Sequence, residues 1–273
     1  MNRASRAGVL SAYRDGVTVI CELAAQFTDP AWSAPTPCLE WRAVDLAGHL
    51  RCVADDYLEY LDDAPASRLA RLMSTGPPAD SLARKLARQN AAELAALPDV
   101  SGPEHIAAFA ESARSYGRRL PLSWDLPHHR YRDTEVTVGA MAGLACGEWH
   151  LHAWDLARCL GKDYRPADPE LVLTAWRAGA PQLWPELSSA EGEDPWVFLL
   201  IASGRDQQWP RVLEWCASDT KRYHLTAESH IWRCCDGTYR DWPWPPSGCA
   251  PPAGWRSCRP RSDTAAPART GWH

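Results

Sequence analysis

The chain has 273 residues, 45% of them hydrophobic, enough to bury a sizeable core as one large or two small domains. A formal net charge of −5 and a pI near 6.0 argue against nucleic acid as a partner, since a phosphate backbone is met by a basic face. Residues 1–209 are more acidic still, with 20 Lys and Arg against 28 Asp and Glu, a net charge of −8.

Between Ser5 and Phe27, the residues Val9, Leu10, Tyr13, Val17, Ile20, Leu23 and Ala24 recur at helical spacing, which predicts a first helix ending before Asp29-Pro30. Pro30 to Trp41, with three prolines and two tryptophans, predicts a packed loop. A second helix is predicted from about Val44 to Leu61, with Leu46, Leu50, Val53, Tyr57 and Leu61 as its apolar stripe and His49 at the stripe's edge. Arg42 stands where a capping Thr or Ser is favoured, so this helix start is expected to lack a side-chain cap. After the break at Gly76-Pro77-Pro78, Ser81 to Leu97 is rich in strong helix formers and gives a third helix. Pro103 to Arg119 is periodic again, as a separate helix or an extension of the third. Pro121 to Glu135, carrying Trp124 and the His128-His129 pair, predicts a loop leading into a helix from about Val138 to Leu160, stopped by Gly161. Asp168-Pro169-Glu170 has the cap, proline and acid of a helix start, and Leu171, Val172, Trp176 and Leu183 follow as its apolar face. No internal repeat is visible.

After Trp209 the composition shifts. Trp232, Trp242, Trp244, Trp255 and Trp272 are scattered among prolines and arginines without any period, so residues 210–273 are expected to form a disordered or frame-shifted extension. A zinc knuckle built from His224, His230, Cys234, Cys235 and Cys249 is the alternative, but a Cys-x-x-Cys pair is missing. No apolar run approaches the ~20 residues of a membrane span, and Arg14 and Asp15 interrupt the N-terminal stretch before a signal segment could form. A cytoplasmic protein without membrane attachment is expected. In that compartment Cys21, Cys38, Cys52, Cys146 and Cys159 are expected to be reduced and mostly buried thiols.

The most informative stretch is Gly147-Glu148-Trp149-His150-Leu151-His152-Ala153-Trp154-Asp155. Four residues apart on a helix, Glu148 and His152 share one face. From Val136 to Ala153, Glu148 is the only residue that must be charged at neutral pH, so this helix is expected to be buried all round. A buried carboxylate must be paired, protonated or bound to a metal. Glu148 and His152 satisfy one another in the simplest reading. A third ligand from His49 would instead complete the two imidazoles and one carboxylate of a catalytic zinc site with an open fourth position.

Trp32-Ser33-Ala34-Pro35-Thr36-Pro37-Cys38-Leu39-Glu40-Trp41, followed by Val44-Asp45-Leu46-Ala47-Gly48-His49-Leu50, resembles the opening signature of the mycothiol-dependent maleylpyruvate isomerase N-terminal family, within the DinB-like superfamily. Glu148-x-x-x-His152-Ala153-Trp154-Asp155-Leu156-Ala157-x-x-Leu160-Gly161 is similar to that family's second signature, and Ser203-Gly204-Arg205-Asp206-Gln207-Gln208-Trp209 to the ending of one branch. The resemblance covers residues 5–209. It implies an all-α, DinB-like four-helix bundle with extra short helices, and a divalent metal, Zn²⁺ by preference, held by His49, Glu148 and His152. Nothing after Trp209 is similar to the second domain that the isomerase carries, which puts maleylpyruvate in doubt as the substrate.

The resemblance also implies mycothiol as a co-substrate, bound at the metal as thiolate and set against a small electrophile, in conjugation, isomerisation or detoxifying transfer. The rival function is a non-catalytic metal-binding module. Around the site, Asp155 and Asp45 are candidates to hold a ligand imidazole, with an arginine pair or helix-start electrostatics as their alternatives. His150 lies about 160° round the helix from Glu148 and from His152 and is expected to be packed. Trp149 and Trp154 are expected to fill the core, His128 and His129 to lie on the surface, and Cys38 to be structural.

Overall fold

Ser5 opens the first helix: its hydroxyl accepts a hydrogen bond from the Gly8 amide, and α1 runs over Arg6–Ala24. This computed structural model describes residues 4–38, 41–62, 79–131, 134–179, 194–203 and 205. Leu183, the extension 210–273 and the proposed knuckle residues lie outside the described residues. A 3-10 turn at Asp29–Ser33 and the bridge from Pro35 to Arg42 carry the chain into α2 (Ala43–Asp62).

The start of α2 is not bare, contrary to the expectation at Arg42. The Asp45 carboxylate accepts from the Arg42 amide at 2.9 Å and from the Arg42 guanidinium at 3.0 and 3.1 Å. An acid in the first turn thus reaches back to the N-terminal N–H, which is half of a capping box.

α3 (Ala79–Ala96) lies on α2, and α4 (Gly102–Ser123) is a separate helix. Ser101 and Glu104 form a reciprocal capping box there: the Ser101 amide donates to Glu104 at 2.8 Å and the Ser101 hydroxyl accepts from the Glu104 amide at 3.4 Å. α4 continues through Pro121, where a loop is predicted. Only one ladder bond is lost, next to an end where the ladder stops in any case.

The rest of that predicted loop is a hairpin. β1 (Pro127–Tyr131) pairs antiparallel with β2 (Thr134–Thr137), with His129 opposite Val136 and Arg130 opposite Glu135. Its strands are too short and too polar to show an apolar alternation. Thr137 then caps α5 (Val138–Cys159), accepting from the Ala140 amide at 3.2 Å. As expected, α5 is buried almost all round, and Gly161, in the left-handed region at φ 66°, follows its end. Asp168 caps α6 (Pro169–Gly179) by accepting from Leu171 N at 3.0 Å. A further helix, α7 (Pro195–Ala202), is capped by Asp194.

α1, α2, α4 and α5 form the bundle, with α6 packed on α5 and α1, and α7 on α6. The all-α expectation holds among the described residues, the small hairpin aside. Trp149 of α5 is completely buried and ties the four helices together, its ring meeting Tyr13, Tyr57 and Phe109 at centroid distances of 6.2, 6.1 and 5.0 Å. No helix among the described residues is long and apolar enough to cross a membrane.

α5 and α6 approach closely through glycine. A Cβ on Gly143 would lie 2.4 Å from the Ala175 carbonyl oxygen, which is backbone and cannot step aside. Gly143→Ala is therefore expected to lower stability by about 1–3 kcal/mol in urea denaturation, despite alanine's better helix propensity of about 1 kcal/mol. An unchanged or raised midpoint would contradict this contact.

Candidate metal centre

His49 sits in the second turn of α2 with 1% of its surface exposed, under the Trp41 ring at a centroid distance of 4.7 Å. The buried ring of His152, from α5, stands edge-on to it at 5.2 Å. Glu148 lies one turn before His152 and is half-buried, with part of its surface still reaching solvent. The fold brings the three together: one ligand atom from each of His49, Glu148 and His152 lies within 4.8 Å of the others.

Asp155 organises what lies behind them. Its Oδ2 accepts from His152 Nδ1 at 2.9 Å and from Arg205 Nη2 at 2.8 Å, its Oδ1 accepts from Arg205 Nε at 2.9 Å, and the Cys38 thiol donates to Oδ2 at 3.4 Å. With Nδ1 committed as donor, His152 carries its lone pair on Nε2. Asp155 thus does both things the sequence left as alternatives, orienting an imidazole and pairing with an arginine. Asp45 serves the helix start.

Burial governs the charges. It pushes the Glu148 carboxyl up to about 7, with the Arg205 guanidinium acting the other way. Burial holds His49 well below the usual imidazole range, helped by His152 and Arg205. His152 is lowered for the same first reason, although its bond to Asp155 opposes the shift. Asp155 is also desolvated, yet the attraction of Arg205 and the hydrogen bonds from His152 and Arg205 win, and it is held below the carboxylate range. Two neutral imidazoles and a carboxylate short of positive charge are a donor set compatible with a divalent cation.

Cys38, His152 and Asp155 also bring ligand atoms within 4.8 Å of one another. That set is the poorer seat, because Arg205 already neutralises Asp155 and His152 Nδ1 is already used.

The metal-free protein should show these shifts in its stability. A carboxyl raised from 4.5 to about 7 contributes stability that is full below 4.5 and is lost as pH rises through about 7. The lowered His49 and His152 work oppositely, their contribution being present above 6.5 and lost as pH falls. Glu148→Gln removes only the first effect. Metal-free E148Q should therefore gain on the wild type between pH 5 and 8 in urea denaturation. A difference that stays flat over that range would show that Glu148 is not held protonated by its surroundings.

His49, Glu148 and His152 all fall in one matched region: residues 13–157, more than half of the chain, match the mycothiol maleylpyruvate isomerase N-terminal domain. The chain belongs to this family. No curated protein and no solved structure matches it.

In this family member the network extends beyond the matched region, since Arg205 lies past residue 157 and is only 6% exposed. Sequence reasoning gave Arg205 no role. Its one signal was the Gly-Arg-Asp stretch, and a single arginine far along the chain carries no spacing that points to a partner. Cys38 is buried and faces Asp155. His150 is packed as expected: Nε2 bonds the Ala12 carbonyl at 2.9 Å and Nδ1 the Tyr164 hydroxyl. Trp154 is half-buried with Arg158 over its ring. His128 and His129 are a correction: they are buried, not on the surface, because the hairpin turns both rings inward.

Proposed function

We propose that His49, Glu148 and His152 hold a divalent metal, Zn²⁺ by preference, and that the protein sets mycothiol against a small electrophile in a thiol-transfer or isomerisation reaction. The convergence of the three donor atoms within 4.8 Å carries this reading. A bound cation would supply Lewis acidity and lower the pKa of a thiol or water beside it.

The chain's own residues do the rest. His49 and His152 present neutral rings from two different helices, so one ion would fix α2 to α5. Asp155 keeps His152 in the tautomer with Nε2 free of its proton, and Arg205 keeps Asp155 ionised. Glu148 is the one residue of the three that is not fully buried, and its side is the one from which small molecules would arrive.

The burial of both imidazoles favours a second reading, a non-catalytic module in which the metal only braces the bundle. A screen of small electrophiles with and without mycothiol separates the two. Turnover that requires both mycothiol and metal is expected. Turnover without the thiol would overturn the thiol-dependent reading, and no turnover beside a large metal-dependent rise in melting temperature would favour the module.

A further inference from the structure

Away from that cluster, His128 and His129 form a second group that the proposed function does not use. Successive residues of a strand point to opposite faces. Here the register slips between Pro127 and His129, which face Thr137 and Val136, so His128 is the extra residue of a bulge. The bulge puts both rings on the buried side, 8% and 6% exposed, with Nδ1 of one 2.9 Å from Nδ1 of the other and the ring planes at 80°.

Tyr60, near the end of α2, braces this arrangement. Its ring stacks on His128 at 3.6 Å and its hydroxyl hydrogen-bonds the carbonyl oxygens of Pro127 and His128 at 3.1 and 2.9 Å. Tyr60 stands eleven residues beyond His49 on one helix, about 16 Å along its axis, so the pair is separate from the first cluster.

Two Nδ1 atoms this close must have a positive centre between them. In the metal-free protein a shared proton does this, donated by one ring to the other. Among the described residues neither Nε2 has a hydrogen-bond partner, although both are buried, so no described group locks either ring to one tautomer. The Nδ1 proton can move to Nε2 of its own ring, which turns both Nδ1 lone pairs toward a cation. Burial also keeps both rings neutral, pushing His128 down to about 3, with help from His129, and His129 to about 4.

Among the described residues no third His, Cys, Asp or Glu joins the pair as a ligand. Two neutral nitrogen donors in a buried site make a poor seat for Zn²⁺, which takes four ligands. They suit a monovalent d¹⁰ ion that accepts two donors in line. We propose that His128 and His129 form a second metal site, two-coordinate and selective for Cu(I). Two imidazole–metal bonds of about 2 Å each span about 4 Å, so the rings must part by about 1 Å, a modest side-chain rotation.

The test is anaerobic Cu(I) titration of the full chain in competition with a chromophoric Cu(I) chelator, alongside H128N/H129N. Copper on the cysteines is common to both proteins. The wild type is expected to hold one more equivalent than the variant, or to hold its last equivalent at least tenfold more tightly, with Zn²⁺ stoichiometry unchanged between them. Equal Cu(I) binding would overturn the proposal, and so would loss of a Zn²⁺ equivalent in a folded variant. Should the variant not fold, ¹⁵N NMR of wild-type histidines with Ag(I) as a diamagnetic stand-in decides. Movement of both Nδ1 resonances supports the site, and unmoved resonances leave only an imidazole–imidazole hydrogen bond.

Discussion

Arg205→Ala is expected to destabilise the protein by about 3–5 kcal/mol, a loss that urea denaturation of the metal-free chain would read directly. Asp155 has no exposed surface, and Arg205 meets it through both Nε and Nη2. Removing the guanidinium leaves a buried carboxylate with one imidazole and one thiol for company. The penalty is the stranded charge, and the ion pair itself is worth less than this figure. Arg205→Met combined with Asp155→Asn should therefore recover a large part of the loss, because no net charge stays in the core. The pair's contribution should be full above the unfolded carboxylate value of 3.8 and fade as pH falls below it, since Asp155 is held low in the folded state. A loss under about 1 kcal/mol would mean that water reaches Asp155.

Metal binding should collapse when any of the three donors is removed. His49→Ala, Glu148→Gln and His152→Ala are each expected to lower Zn²⁺ affinity by more than the roughly 10–100-fold typical of losing a residue that only orients a ligand. Far-UV circular dichroism should show the helices retained, because Trp149 and its aromatic neighbours hold the bundle without the ion. Competition with a chromophoric chelator measures the affinity, and elemental analysis the stoichiometry. Full metal content in folded H152A would remove His152 from the site, and with it both ligand sets that include this residue.

Much of the fold is legible in the chain. The stripes of α1 and α2, the all-round apolar run of α5, the Asp168 cap of α6 and the stop at Gly161 are local signals that the structure keeps. The hairpin was not legible, because its strands alternate too little to announce themselves. α7 was not anticipated, and its eight residues are too few for a periodic pattern.

Two of the three proposed donors were also local: Glu148 and His152 are i and i+4 on one helix, and a charge in so apolar a run has to be answered. The sequence by itself determined that a carboxylate and an imidazole would face the same way in a buried place. Tertiary structure alone decided which groups answer them. His49 arrives from a helix about a hundred residues earlier, Cys38 from a loop, and Arg205 from just beyond α7. The same holds for His128 and His129, adjacent in the chain yet brought within hydrogen-bond reach on one buried side only by one extra residue in a strand. Helical periodicity is a property of neighbours, whereas the pairing of buried charges is settled by which distant segments the packed core leaves beside them.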